Sequence, residues 1–263
     1  MEIKKEILNN NKKLPLVSII TPNYNGSKYL EETIKSVINQ EYKNIEYIII
    51  DGKSNDKSIE IINRYKNNID YFVSEEDNGI FHAVHKGIMK SNGEYILWIN
   101  SDDILHKNAA KNIIEIFNKK PEIDWINGIS GYIKFNFKFF FIPYIYPQKY
   151  ILNGKAHKKF WGYIQQESVC FKKSLYVKSG GLDTNSNSGG DYFLWQKFAK
   201  FSKLHTFYIK IGYFRSHANQ FTKKNLYEKF TGHYSNKFNL NLSRLFLSLF
   251  SLPSIIIKTI LLK

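Results

Sequence analysis

Apolar and polar positions alternate between two periods along the first half of the chain. Leu16–Thr21 (LVSIIT) is a short apolar run rich in β-branched residues, and it ends in the loop Pro22-Asn23-Tyr24-Asn25-Gly26. Leu30, Ile34, Val37 and Ile38 then recur at helical spacing. The same couplet repeats downstream. Ile45–Ile50 (IEYIII) reads as a strand closed by Asp51-Gly52, and Ile59, Ile62 and Tyr65 mark a helix. Ile69–Val73 reads as a third strand followed by the acidic turn 74–79, and Ile80, Val84, Gly87 and Ile88 share a helical face. Tyr95–Ile99 is a fourth strand, Ile113, Ile114 and Phe117 mark the next helix, and Ile123–Ile126 is placed as a fifth strand. Strands alternating with helices predict βαβ units and a mainly parallel α/β sheet. Right-handed crossovers bring every strand's carboxyl end to one edge, where such sheets hold their ligands. That edge collects Asn23, Tyr24, Asp51, Glu76, Asp77, Asp102 and Asp103.

The second half is less regular. Residues 132–146 (YIKFNFKFFFIPYIY) are aromatic and contain no acid. Gly180-Gly181-Leu182-Asp183 is a turn, Asp191–Phe201 has helical spacing, and Leu204–Phe214 has strand character. The tail Leu242–Leu262 is apolar, with Arg244, Pro253 and Lys258 inside it.

Charge separates the halves further. Residues 1–132 hold 17 Lys/Arg and 19 Asp/Glu, whereas residues 133–263 hold 21 Lys/Arg and only 4 Asp/Glu. The basic half suits nucleic acid, an anionic membrane or a phosphate-bearing substrate. A single cysteine, Cys170, excludes an intramolecular disulfide and fits a reducing, cytoplasmic setting. The first residues lack an apolar leader core, and no run reaches the ~20 apolar residues of a membrane-spanning helix.

The densest chemical signal is Ile96–Asp103 (ILWINSDD), an apolar strand that ends in adjacent carboxylates. Ser-Asp-Asp can simply open a turn. Carboxylates gathered from several strand ends instead suit a divalent metal carrying a phosphate, because hard cations take oxygen ligands. A glycine-rich dinucleotide fingerprint, a P-loop and zinc spacing are all absent.

The stretches VSIITPNYNGSKYLEETIKSVINQEYKNIEYIIIDGKSND, EEDNGIFHAVHKGI and GEYILWINSDD resemble the nucleotide-binding half of family 2 glycosyltransferases of the GT-A fold. WGYIQQESVCFKKSLY, GGLD and GGDYFLWQKFA resemble that family's acceptor half. The resemblance, over about residues 15–220, implies a Rossmann-like sheet with helices on both faces and an acceptor-binding C-terminal half. It divides the chain into an extension (1–14), a nucleotide-sugar subdomain (15–130), an acceptor and catalytic-base subdomain (131–230) and a basic apolar tail (231–263).

It also implies roles for individual residues. Pro22, Asn23 and Tyr24 line the base, with Tyr24 stacking on it. Asp51 bonds the base or ribose, and Asp77 lies at the donor site. Asp102 and Asp103 hold ribose and the metal-bound diphosphate, with Mn²⁺ or Mg²⁺ as the ion. Asp191 is the catalytic base, followed at helical offset by Trp195, and His217 is a further metal or diphosphate contact. The chain departs from the family pattern at Asn100, at Ile50, at His82 and His85, and at Gly190, where relatives often carry acids, or Asp and Asn at the two histidines. His82 and His85 either tune sugar selectivity or pack. Asp191 can also serve as a helix cap after Gly-Gly.

The implied reaction moves a sugar from a nucleotide-diphospho-sugar, UDP-linked by expectation, to a glycan or lipid-linked acceptor with inversion, in surface polysaccharide synthesis. A metal-dependent nucleotidyltransferase is the first rival. A nucleic-acid-binding protein ranks lower, because the carboxylates at the strand ends repel phosphate backbones. The basic tail is expected to lie peripherally on the inner face of the membrane, or else to pack on the aromatic stretch 132–146.

Overall fold

The structure, a computed structural model, describes residues 14–134, 137–140, 144–156, 163–186, 188–217 and 220. The four expected βα units form. Strand β1 (Val17–Asn23) lies between β2 (Ile45–Asp51) and β4 (Tyr95–Trp98), with β3 (Tyr71–Ser74) outside β2, and all of these pairings are parallel. A strand covered on both faces is mostly apolar, and every residue of β1 is buried, including Ser18, Thr21 and Asn23. Alternate side chains enter two cores. Ile19, Ile49 and Leu97 pack with helices α1 (Ser27–Ile38), α2 (Ser58–Arg64) and α4 (Ala109–Lys119). Ile20, Ile48, Ile50, Ile96 and Trp98 face helix α3 (Ile80–Lys90) on the other side. A Cβ on Gly87 of α3 would come within 2.6 Å of Ile20 Cγ2, so this helix seats directly on β1.

The sheet continues through the second half without a break. Its order is β3-β2-β1-β4-β8-β6-β9-β5, with β7 paired to β6. The added strands are β5 (Ile104–Leu105), β6 (Trp125–Lys134), β7 (Phe137–Phe140), β8 (Val169–Lys172) and β9 (His205–Arg215). β8 runs antiparallel between β4 and β6, β9 runs parallel to β6 and antiparallel to β5, and β7 is antiparallel to β6. The fifth strand expected at Ile123–Ile126 is thus the start of a ten-residue strand. The boundary expected at residue 130 falls inside β6. Helices α5 (Gln148–Leu152), α6 (Lys173–Lys178) and α7 (Gly190–Ala199) cover the α3 side. There Trp195 and Phe198 of α7 pack on Trp125 at ring-centroid distances of 5.7 and 5.3 Å. Cys170 is buried in β8, where burial pushes its thiol pKa up.

Among the described residues no helix is long and apolar enough to cross a membrane. The N-terminal extension, apart from Leu14, and the tail 231–263 lie outside the described residues.

Candidate active site

The carboxyl ends of β1–β4 open on a crevice of about 970 Å³. Pro22, Asn23 and Tyr24 leave β1 into its wall, Gly52 follows β2, Glu76 and Asp77 follow β3, and Asn100, Ser101 and Asp102 follow β4. Phe214, His217 and Gln220 reach it from the end of β9. Tyr24 is 69% exposed, so its ring is available at the crevice. A Cβ on Gly52 would meet Asp77 Oδ2 at 2.8 Å and Tyr24 Cδ2 at 3.4 Å, so glycine lets these two side chains close over it.

Asn23 and Asp51 divide the work beneath this wall. Asp51 is fully buried and accepts from Asn23 Nδ2 (2.7 Å), Ser54 N (2.9 Å), Ser54 Oγ (2.6 Å) and Ser74 Oγ (2.7 Å). Four donors satisfy the charge and tie together the ends of three strands. Asp51 lies below the crevice lining, whereas the nucleotide role expected for it required direct contact. Asn23 lines the crevice, and its Oδ1 is buried without a hydrogen-bond partner. A buried orphan acceptor is costly unless a ligand donates to it.

The acidic loop after β4 is held from several directions. Thr33 Oγ1 of α1 donates to the carbonyls of Ser101 (2.9 Å) and Asp103 (2.7 Å). Trp98 Nε1 donates to Asn100 Oδ1 at 2.8 Å, and Asn100 Nδ2 points to Asp103 Oδ2 at 3.4 Å. An amide can accept from the indole and donate to a carboxylate at once, which an ionised Asp at position 100 could not do. Asp102 turns to the crevice, with Oδ2 2.9 Å from His217 Nε2.

Asp103 does not join them. It is 1% exposed, and its Oδ1 accepts from Arg215 N at 2.8 Å. Burial, then the charges of Asp102 and Glu167, hold its pKa well above the usual carboxylate range. The sequence-based expectation of Asp103 as a metal ligand is therefore met in this geometry by a residue facing the protein. The pair that faces the crevice is Asp102 and His217.

Arg215 and Glu167 were not singled out from the sequence. Arg215 donates through Nε to the Asp102 carbonyl (2.8 Å) and through Nη2 to Glu32 Oε2 (2.7 Å), with its guanidinium 4.7 Å from the Tyr29 ring centre. Tyr29 also lies 4.8 Å from the His217 ring. Glu167, 2% exposed, accepts from Ser130 Oγ at 2.5 Å. Burial pushes its pKa up to about 7, and the charges of Asp191 and Asp102 act in the same direction. One of only four acids after residue 132, set in Gln165-Gln166-Glu167-Ser168, was the available signal for Glu167. Arg215 offered only its place two residues before His217.

The raised pKa of Glu167 carries a stability consequence. The folded chain binds this proton more tightly than the unfolded chain, whose value is near 4.5. The associated stabilisation is complete below that value and is lost as pH rises through about 7. Glu167→Gln keeps an acceptor for Ser130, and it is expected to flatten this fall. Urea unfolding at about pH 5 and about pH 8 measures it, and an unchanged difference between the two would refute the assignment.

Asp191 lies in the first turn of α7, half-buried, where the helix N-terminus favours negative charge. The cap position is Gly189, with no side-chain cap hydrogen bond, so Asp191 is not the cap. A Cβ on Gly190 would meet the Phe81 ring at 2.7 Å, which leaves no room for the acid that often precedes the base. Asp191 is not on the crevice lining itself, but its charge is felt at Glu167 together with that of Asp102. His85 Nδ1 lies 2.8 Å from Tyr176 Oη, and His82 Nδ1 accepts from Asn78 N at 3.1 Å. Neither histidine lines the crevice, and His85 braces α3 against α6.

Residues 18–179 match the profile of Glycosyl transferase family 2. The uncharacterized glycosyltransferase RT0329 of Rickettsia typhi is 33% identical over 195 residues, covering 73% of this chain and 61% of its own length. The chain thus spans less than two thirds of that relative. Among solved structures, S. aureus TarS (residues 1–349 with UDP-GlcNAc) superposes with a TM-score of 0.64 at 15% identity, covering 78% of this chain and 59% of that one. The mannosyltransferase PcManGT of Pyrobaculum calidifontis, with GDP-Man and Mn²⁺, gives 0.61 at 16% identity, covering 95% and 74%. The architecture is that of the GT-A glycosyltransferases. The chain belongs to glycosyl transferase family 2.

Proposed function

We propose that the chain transfers a sugar from a nucleoside-diphosphate sugar, UDP-linked by expectation, to a glycan or lipid-linked acceptor with inversion, in surface polysaccharide synthesis. The observation that carries this reading is the Asp102–His217 pair, which faces the same crevice as the exposed Tyr24 ring and the orphan Asn23 acceptor. Tyr24 offers its face to the base, and Asn23 Oδ1 can accept from an imide N–H. Asp77 and Asp102 remain for ribose hydroxyls. Asp51 then acts on the nucleotide by fixing Asn23.

The residues present fit a divalent ion, Mn²⁺ or Mg²⁺. Asp102 and His217 stand side by side at the crevice, and among the described residues no group of three or more acids, histidines or cysteines could hold a metal. A two-donor set suits an ion whose remaining ligands are phosphate oxygens and water. When bound, the ion supplies charge neutralisation for the departing diphosphate. Asp103, Arg215 and Glu32 keep the Asp102 loop and the His217 segment in register.

Asp191 takes the proton of the acceptor hydroxyl as the bond to the sugar forms. A double displacement would need a second carboxylate free to attack carbon. Glu167 is buried against Ser130 and raised in pKa, which suits it poorly to that task. This favours single displacement with inversion.

The test is a thermal-shift screen of nucleotide sugars with Mn²⁺ and Mg²⁺, followed by product analysis. A donor at ~100 times its dissociation constant should add ~2.7 kcal/mol of stability. Turnover should release nucleoside diphosphate, and release of pyrophosphate would favour the nucleotidyltransferase instead.

A further inference from the structure

We propose that the β6–β7 hairpin is a membrane-contacting element, whose exposed phenylalanines enter the headgroup region of an anionic bilayer and hold the crevice beside the lipid surface. Its purpose rests on the donor-site reading above, but the contact itself does not.

The hairpin register pairs Lys134 with Phe137 and Tyr132 with Phe139. Strand periodicity puts Tyr132, Phe139, Lys134 and Phe137 on one face. Phe139 stacks on Tyr132 at 5.6 Å, and Tyr132 lies 5.6 Å from Phe214. Phe214 lines the crevice, so a row of rings leads from the site out along the ribbon. Phe137 is 75% exposed and Phe139 41% exposed. A contiguous exposed apolar strip of this kind marks an interface. On the opposite face Lys138 lies over the Tyr213 ring at 5.4 Å and Lys210 over the Phe140 ring at 4.4 Å. These contacts hold ammonium groups along the same ribbon.

Chemistry selects the partner. A sugar platform offers a flat ring face beside carboxylates or amides. Here Tyr132 and Phe139 lie nearly parallel, at 28°, and each covers one face of the other. Among the described hairpin residues the charged groups are ammonium groups alone. From Trp125 to Gln166 the chain carries six lysines and no acid. Apolar rings flanked by lysines complement anionic headgroups, as in other interfacial segments. A lipid-linked acceptor would then reach the crevice while its anchor stays in the bilayer.

Flotation of the full chain with phosphatidylcholine vesicles, with and without phosphatidylglycerol, tests this. The chain is expected to float only with the anionic vesicles, and less at high salt. Phe137→Gln with Lys138→Gln should lower that partitioning about ten-fold or more. Phe137 is exposed, so the fold should persist, and circular dichroism checks it. Calorimetric UDP binding should be the same in both proteins. Failure of the wild-type chain to float, or equal flotation of the double variant, overturns the proposal. Unchanged flotation with a raised KM for a soluble glycan acceptor also overturns it, by making the row a glycan platform. Absence of UDP binding in the wild-type chain would count against the donor-site reading and leave the flotation result standing.

Discussion

Asp191→Asn is expected to lower sugar transfer by ~10²–10⁴-fold while leaving donor binding nearly unchanged. The substitution keeps size and hydrogen-bonding shape and removes basicity alone. The fold should tolerate it, because Gly189, not Asp191, occupies the cap position. Loss of a charge in the first helical turn costs about 0.3–1 kcal/mol, too little to unfold a chain with two hydrophobic cores. A second readout separates a catalytic role from a structural one. Asp191 raises the pKa of Glu167, so the variant should move the pH dependence of stability downward even without substrate. Transfer at the wild-type rate would place the base elsewhere.

The second large effect concerns the Asp102–His217 pair, proposed to hold the metal-bound diphosphate. Asp102→Asn preserves a partner for His217 but removes the carboxylate that the pair presents to the crevice. Calorimetry should find Mn²⁺-dependent UDP binding weakened by about 100-fold or more, since an amide is a poor ligand for a hard cation. His217→Ala should weaken the same binding with a smaller loss, because Tyr29, Arg215 and the Asp102 loop keep their own contacts. Metal-free UDP binding, carried by Tyr24 and Asn23, should change little in either variant. Undiminished metal-dependent binding in both would refute the assignment. Asp103→Asn makes the contrast: it should act on stability, since both carboxylate oxygens face protein donors.

Much of this was legible in the residues. The periods of 2 and 3.6 located four βα units, because burial on both sheet faces demands apolar runs and each crossover helix demands an apolar stripe. The terminal loops then had to share one edge, and Pro22, Asn23, Tyr24, Asp77 and Asp102 all line the crevice there. Strand β8 escaped notice because VCFK is only four residues long and has no alternation. β5, at two residues, has no period at all. Both contain strand-favouring residues, but segments this short are fixed as strands by the strands they pair with.

The sequence by itself determined the order of the strands and helices in the first half, the edge where the acidic loops gather, and the split between an acidic and a basic half. All of these follow from neighbours within a few residues and from charge counts. Only the tertiary structure decided which acids face the crevice. Asp102 and Asp103 are adjacent, yet one turns to His217 and the other to Arg215 N, 112 residues away in sequence. Arg215 in turn meets Glu32 across a separation of 183 residues. A carboxylate's direction is set by the donors packed around it, and those donors come from strands that local pattern cannot bring together.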